Sequence, residues 1–344
     1  RHGMELTTVW FSLIAVLWIG YFCLEGFDFG VGMLLPVLAK NDTERRVLIN
    51  TIGPVWDGNE VWVLVAGGAT FAAFPEWYAT LFSGFYLPLL LILVALIVRG
   101  VAFEYRAKRP ELEWKARWDA AIVIGSFLPA LLWGVAFANI LRGVPLDADM
   151  EYVGGFFNLL NPYALLGGLM TLTLFLTHGA VFISLKTDGP IRERARALAF
   201  KLGLVAAVIT VAFLFWTQLD TGTTGSAVAF AAAAVALVGG LAAIMAGREG
   251  WAFIGTFVAI GLGVAGLFLA LFPYVMPTSL VDGVGLTTTN ASATAYTLKI
   301  MTVVAVIFTP LVLAYQAWTY WVFRQRITVD HIPTTPQTPA ASAR

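Results

Sequence analysis

Residues 6–38 read LTTVWFSLIAVLWIGYFCLEGFDFGVGMLLPVL, 33 positions without a Lys or Arg and with only two acidic residues, Glu25 and Asp28. About 20 apolar residues cross the hydrocarbon core of a bilayer, so this stretch spans it with turns to spare. Eight further runs of the same kind follow: Asn50 to Phe74, Ala79 to Val101, Trp118 to Leu141, Pro162 to Leu185, Ala199 to Leu219, Ser226 to Ala246, Trp251 to Phe272 and Thr294 to Phe323. The sequence therefore predicts an all-α polytopic membrane protein with nine transmembrane helices. Composition agrees, because 59% of the 344 residues are hydrophobic and 12% are charged, where a soluble domain carries about 25% charged residues. An ordinary soluble enzyme is excluded. The formal net charge of +0 leaves no field to recruit nucleic acid, and the single cysteine, Cys23, excludes an intrachain disulfide or a Cys-rich metal site. The first run is too long for the apolar core of a cleavable signal peptide; Arg1, His2 and Gly3 are assigned no function.

Charge asymmetry orients the helices. With the N-terminus outside, all of the 21 Lys and Arg except Arg1, Arg142 and Lys299 fall on the cytoplasmic side, as the positive-inside bias requires. The expected topology is N-out, C-in, and an odd number of spans follows from it.

Chemistry is carried by polar residues placed where lipid makes them costly. Helix one contains Glu25 and Asp28; helix two contains Asp57 and Glu60 within Trp56-Asp57-Gly58-Asn59-Glu60-Val61-Trp62. Each ionised carboxylate at the centre of a span costs roughly 2.5–3.5 kcal/mol, so these groups must be protonated, paired or solvated. Members of each pair are three residues apart and share a helical face. An antiparallel hairpin turning at Lys40 to Arg46 places Asp28 level with Asp57, and Glu25 level with Glu60. Crowded carboxylates at low dielectric cannot all ionise, which makes the four a candidate proton relay reached from the cytoplasm. The alternative is that they hydrogen-bond neighbouring helices or a partner subunit.

Arg99 and Asp119 lie equidistant from a turn near Arg109 and could pair across helices three and four; the alternative is two charges snorkelling to the inner interface. His178 is compatible with a haem ligand, a proton carrier or a hydrogen-bonded packing residue. One histidine within the spans cannot hold a haem between two imidazoles of this chain. No metal motif, phosphate-binding loop or dinucleotide fingerprint is present, so metals for any redox chemistry come from a partner.

The residues also carry a family resemblance. GFDFG (Gly26 to Gly30) is followed by GPVWDGNEVW (Gly53 to Trp62), FAAFPEWYATLFSGFYLPLLLIL and a basic inner loop; then come LLWGVAFAN (Leu131 to Asn139), TLKIM (Thr297 to Met301) and AYQAWTYWVFRQR. Together these resemble subunit II of cytochrome bd-type quinol oxidases up to about Arg326. The resemblance implies a heterodimer in the bacterial cytoplasmic membrane with a haem-bearing subunit I, which carries haems b and d, oxidises quinol and reduces oxygen to water with cytoplasmic protons. It implies no haem in this chain, a quinone in some members, and room for small accessory subunits and lipids. Asp57 matches the carboxylate on the family's proton route, and Trp62 the tryptophan near its oxygen-access route. Asp28, Arg99 and Asp119 match buried charges that support assembly. The implied architecture is two four-helix bundles plus one peripheral helix: residues 1–142 as the first bundle with the carboxylates, 143–272 as the second, 273–326 as an outer loop and ninth helix, and 327–344 as a disordered cytoplasmic tail. Two other classes fit the carboxylates alone, a proton-coupled secondary transporter and a purely structural membrane scaffold.

Overall fold

In the computed structural model, which describes residues 2–333 with side chains from Leu6 onward, helices dominate. They are α1 (His2–Leu38), α2 (Asp42–Ile52), α3 (Trp56–Ala73), α4 (Pro75–Gly84), α5 (Tyr86–Tyr105), α6 (Leu112–Arg142), α7 (Pro162–Lys186), α8 (Pro190–Thr221), α9 (Thr224–Met245), α10 (Glu249–Leu271) and α11 (Ala295–Val322). Eight of them are long and apolar enough to cross a membrane. Absent from that set are the short α2 and α4, and α3, whose 18 residues open on the polar Trp56-Asp57-Gly58-Asn59-Glu60 turn.

Local chemistry explains the boundaries. The expected second span, Asn50 to Phe74, is broken between Ile52 and Trp56: Pro54 has no N–H to donate into the helical ladder, although Gly53 before it still has helical dihedrals. The expected third span is interrupted at Phe85, between α4 and α5. Side-chain caps start several helices: Asn41 accepts from Glu44 N, Asn161 from Ala164 N ahead of Pro162, and Thr223 and Ser226 form a reciprocal capping box. Each satisfies backbone donors that a helix start leaves open.

Helix α1 is the central element and packs on α3, α6, α7 and α10. Its approach to α7 is nearly backbone on backbone. A Cβ at Gly30 would lie 2.1 Å from the Phe175 carbonyl oxygen, and one at Gly179 would lie 2.5 Å from Gly30 Cα. Small residues of this kind let helices approach where lipid supplies no hydrophobic drive. Gly30→Ala should therefore cost about 1–3 kcal/mol, read as a lowered thermal midpoint of the purified protein; an unchanged midpoint would mean that α1 and α7 separate freely there.

Between α10 and α11, strands Tyr274–Met276 and Leu286–Thr287 pair antiparallel, and Val275, Met276 and Leu286 are buried beneath this cap. Helix α11 stands apart, touching α1 and α3 with Leu298 its one fully buried side chain. Its far end returns to the bundle. Ile327 N donates to Lys186 O at 2.7 Å, Arg326 donates to Ser184 O and Thr187 O at 2.8 and 2.7 Å, and Ile332 is buried. The disorder expected from residue 327 therefore does not begin there, because backbone carbonyls at the end of α7 bind the segment. Residues 334–344, the rest of that expected tail, lie outside the described residues.

Candidate functional site

Four helices converge on one buried charge. Arg99, on α5, has no solvent exposure and donates from Nη1 to Glu25 Oε1 of α1 at 2.7 Å, with Glu60 Oε1 of α3 at 3.9 Å. The guanidinium lies 4.9 Å from the Phe29 ring centre and 5.4 Å from that of Phe103, so aromatic faces supply the attraction that water would otherwise give. Asp28, one turn from Glu25 and also fully buried, accepts from Asn59 Nδ2 at 2.7 Å. The Tyr320 hydroxyl of α11 donates in turn to Asn59 Oδ1. Glu25 Oε2, Asp28 Oδ1, and Nε and Nη2 of Arg99 make no hydrogen bond to the protein. Three carboxyl groups thus share one guanidinium in a low-dielectric core, with spare donors and acceptors on both sides of the pair.

Asp57 is not in this cluster. Two residues along a helix point to nearly opposite sides, so with Asn59 turned inward to Asp28, Asp57 faces outward. It lines a groove of about 580 Å³ between α3 and α11, with Gly58, Val61, Phe308 and Gln316 among its walls. The expected level pairing of Asp57 with Asp28 is replaced by the Asn59–Asp28 bond, whereas Glu25 and Glu60 do meet, across Arg99. Glu60 is half-buried and stands between the groove and the core. Trp62 also lines the groove, donates to Gln316 Oε1 at 2.9 Å and lies flat on Gly20, where a Cβ would come within 2.4 Å of its ring.

Arg99 and Asp119 do not pair. Arg99 stands level with Gly125, whose added Cβ would meet Arg99 Cβ at 2.8 Å. The α5–α6 hairpin is therefore staggered: equal depth is centred near residue 112, although the residues between the helices, the 3-10 turn Arg106–Lys108 and the extended stretch after it, are centred near 109. Asp119 instead accepts from Arg106 at 2.5 Å and Arg45 at 2.7 Å. Asp42 joins it, bound to Arg106 at 2.7 Å and Lys115 at 3.2 Å. Burial opposes ionisation of Asp42, but those two cations outweigh it and hold the carboxyl below its usual value. Its contribution to stability is present at neutral pH and is lost as pH falls through that lowered value.

His178 is fully buried and hydrogen-bonded at both ring nitrogens. Nε2 lies 2.8 Å from the Cys23 carbonyl and Nδ1 2.7 Å from Thr256 Oγ1, and the ring stacks on Phe253 at 4.9 Å. A carbonyl can only accept, so Nε2 carries a proton toward Cys23 O. Both ring nitrogens are thus engaged within the protein, which fits the hydrogen-bonded packing residue of the three readings. Among the described residues no group of three His, Cys, Asp or Glu is placed to hold a metal.

Long apolar helices around a buried carboxylate–guanidinium core define a helical membrane protein. A profile of the cytochrome bd terminal oxidase subunit II family matches residues 6–323, and the chain belongs to that family. It is 44% identical over 329 residues to the cytochrome bd ubiquinol oxidase subunit 2 of Bacillus subtilis (strain 168), covering 94% of this chain and 97% of the relative. It is 38% identical to the cytochrome bd-I ubiquinol oxidase subunit 2 of Escherichia coli (strain K12), covering 95% and 96%. A chain of the bd oxidase structure from Geobacillus thermodenitrificans has the same fold, with a TM-score of 0.76, 18% identity, and coverage of 93% of this chain and 98% of that one.

Proposed function

We propose that this chain is the non-haem subunit of a membrane quinol:oxygen oxidoreductase in the bacterial cytoplasmic membrane, paired with a subunit I whose haems b and d supply the redox chemistry. Family membership over residues 6–323 carries the reading. Engagement of both His178 nitrogens supports the partner as the site of the haems. Purification of the chain with its partner in mild detergent should give a haem spectrum and quinol-dependent oxygen consumption, whereas the isolated chain should give no stoichiometric haem. A haem spectrum from this chain alone would overturn the division of labour.

In this reading the residues divide the proton work. Asp57 collects a proton in the groove; Glu60, one turn further along α3, stands between groove and core; Glu25 and Asp28 hold or release protons against the fixed charge of Arg99. Trp62 walls the groove where oxygen would pass. An apolar cavity of about 400 Å³ lined by Trp18, Gly67, Gly68, Trp77 and Trp133 is space that the chain offers a quinone.

The same reading takes α3 as a ninth span, with α1, α3, α5 and α6 as the first bundle, α7 to α10 as the second and α11 peripheral. The end carrying Arg45, Arg106, Lys115 and Arg192 faces the cytoplasm. Val281, fully exposed beside the two-stranded cap, and Lys108, exposed at the basic end, test it. A cysteine at Val281 should react with an impermeant thiol reagent in spheroplasts, and one at Lys108 should not; the reverse pattern would move the proton supply to the other side.

A further inference from the structure

At the basic end, α2, α7, α10 and α11 enclose a pocket of about 620 Å³, a size typical of small-ligand sites. Lys186, Arg324, Arg326 and His331 line it, and among the described residues no carboxylate does. Lys186 is the telling residue, being more than nine-tenths buried. Its ammonium donates to the carbonyls of Phe323 and Gln325, which satisfies two of its three N–H groups but brings no negative charge. The carboxylates that act on this group do so through Arg326: Glu249 stands 3.9 Å from it and is already bound to Arg192 at 2.7 Å, and Asp188, paired with Arg192 at 3.5 Å, acts on it from further off. A buried cation without a counter-charge is costly, so the pocket is electrostatically incomplete.

Its other walls are apolar, including Phe182, Leu185, Phe253 and Val322. It also shares Pro54, Val55 and Tyr320 with the groove between α3 and α11. That groove continues along Val61, Val65, Phe308 and Val312. A cationic pocket that opens on an apolar channel at the membrane boundary is complementary to a phosphate group with a hydrocarbon tail, and basic pockets between transmembrane helices bind anionic lipid head groups in this way.

We propose that the pocket binds the phosphodiester of an anionic phospholipid, with the phosphate against Lys186, Arg324 and Arg326 and an acyl chain along the α3–α11 groove. The proposal requires the chain to lie in a membrane but does not depend on oxidase turnover, so its failure is separate from failure of the functional reading.

The test is native mass spectrometry of the intact purified complex, exchanged with phosphatidylglycerol, phosphatidylcholine or inorganic phosphate. The unmodified complex should retain phosphatidylglycerol about tenfold better than phosphatidylcholine. Arg324→Gln should lower that retention about fivefold, the effect of one basic residue near an anionic surface, and Arg324→Lys should restore it. Equal retention of the two lipids by the unmodified complex overturns the proposal without reference to any variant. So does an Arg324→Gln complex that holds phosphatidylglycerol as well as the native one. Displacement of the lipid by inorganic phosphate would make the pocket a free-phosphate site and overturn the assignment to lipid.

Discussion

Arg99→Gln lowers the unfolding free energy by about 3–5 kcal/mol, the loss expected when one partner of a buried ion pair is removed and the other stays behind. Glu25 loses its 2.7 Å hydrogen bond and Glu60 loses its nearest cation at 3.9 Å, while both remain in the low-dielectric core with Asp28. The aromatic rings of Phe29 and Phe103 cannot substitute, since they attract a cation and repel a carboxylate. The double variant Glu25→Gln/Arg99→Gln should recover more than half of the loss, because two amides of similar shape can hydrogen-bond to each other without a net charge. Thermal unfolding of the purified complex measures both. A single variant within about 1 kcal/mol of the native protein would show that the pair does not hold the core together.

Asp57→Asn should leave assembly intact and reduce oxygen turnover at least about tenfold, equivalent to about 1.4 kcal/mol of barrier. Assembly is spared because Asp57 is exposed in the groove and makes no hydrogen bond or ion pair among the described residues. Turnover is not spared, because an amide keeps the shape of the carboxyl group but cannot pass on a proton. Asp57→Leu should lower turnover as much, since it too lacks a group that can pass on a proton. Oxygen consumption per haem d in the purified complex is the measurement. Native turnover in Asp57→Asn with haem content intact would leave Asp57 a structural residue and move the proton path into the partner.

Most helices were legible from hydropathy, since long apolar runs need no tertiary information to declare themselves. The errors came from turns. A hairpin centred on Arg109 makes Arg99 and Asp119 equal in depth, whereas the helices pack with a stagger that sets Arg99 level with Gly125, and no local pattern encodes that stagger. Pro54 was visible as a break signal, yet hydropathy ran through it, and the start of α3 was placed inside a span. Asn59 and Tyr320 were the residues missed. Asn59 sits inside the WDGNE run and, two positions from Asp57, had to face the opposite way. Tyr320 lies 261 positions from Asn59, and no local pattern could have brought them together.

The order of synthesis gives the Glu25–Arg99 bond a further meaning. Glu25 is made 74 residues before Arg99, an interval of roughly 4–15 s at about 5–20 residues per second. During it, α1 carries Glu25 and Asp28 toward the bilayer before Arg99, the cation they meet in the core, exists. The newborn helix must stay beside water, or keep its acids protonated, until α5 emerges and completes the charge balance. A chain stalled in translation before α5 would therefore be recognisable to membrane quality control by a single property, an apolar helix that cannot yet settle in lipid.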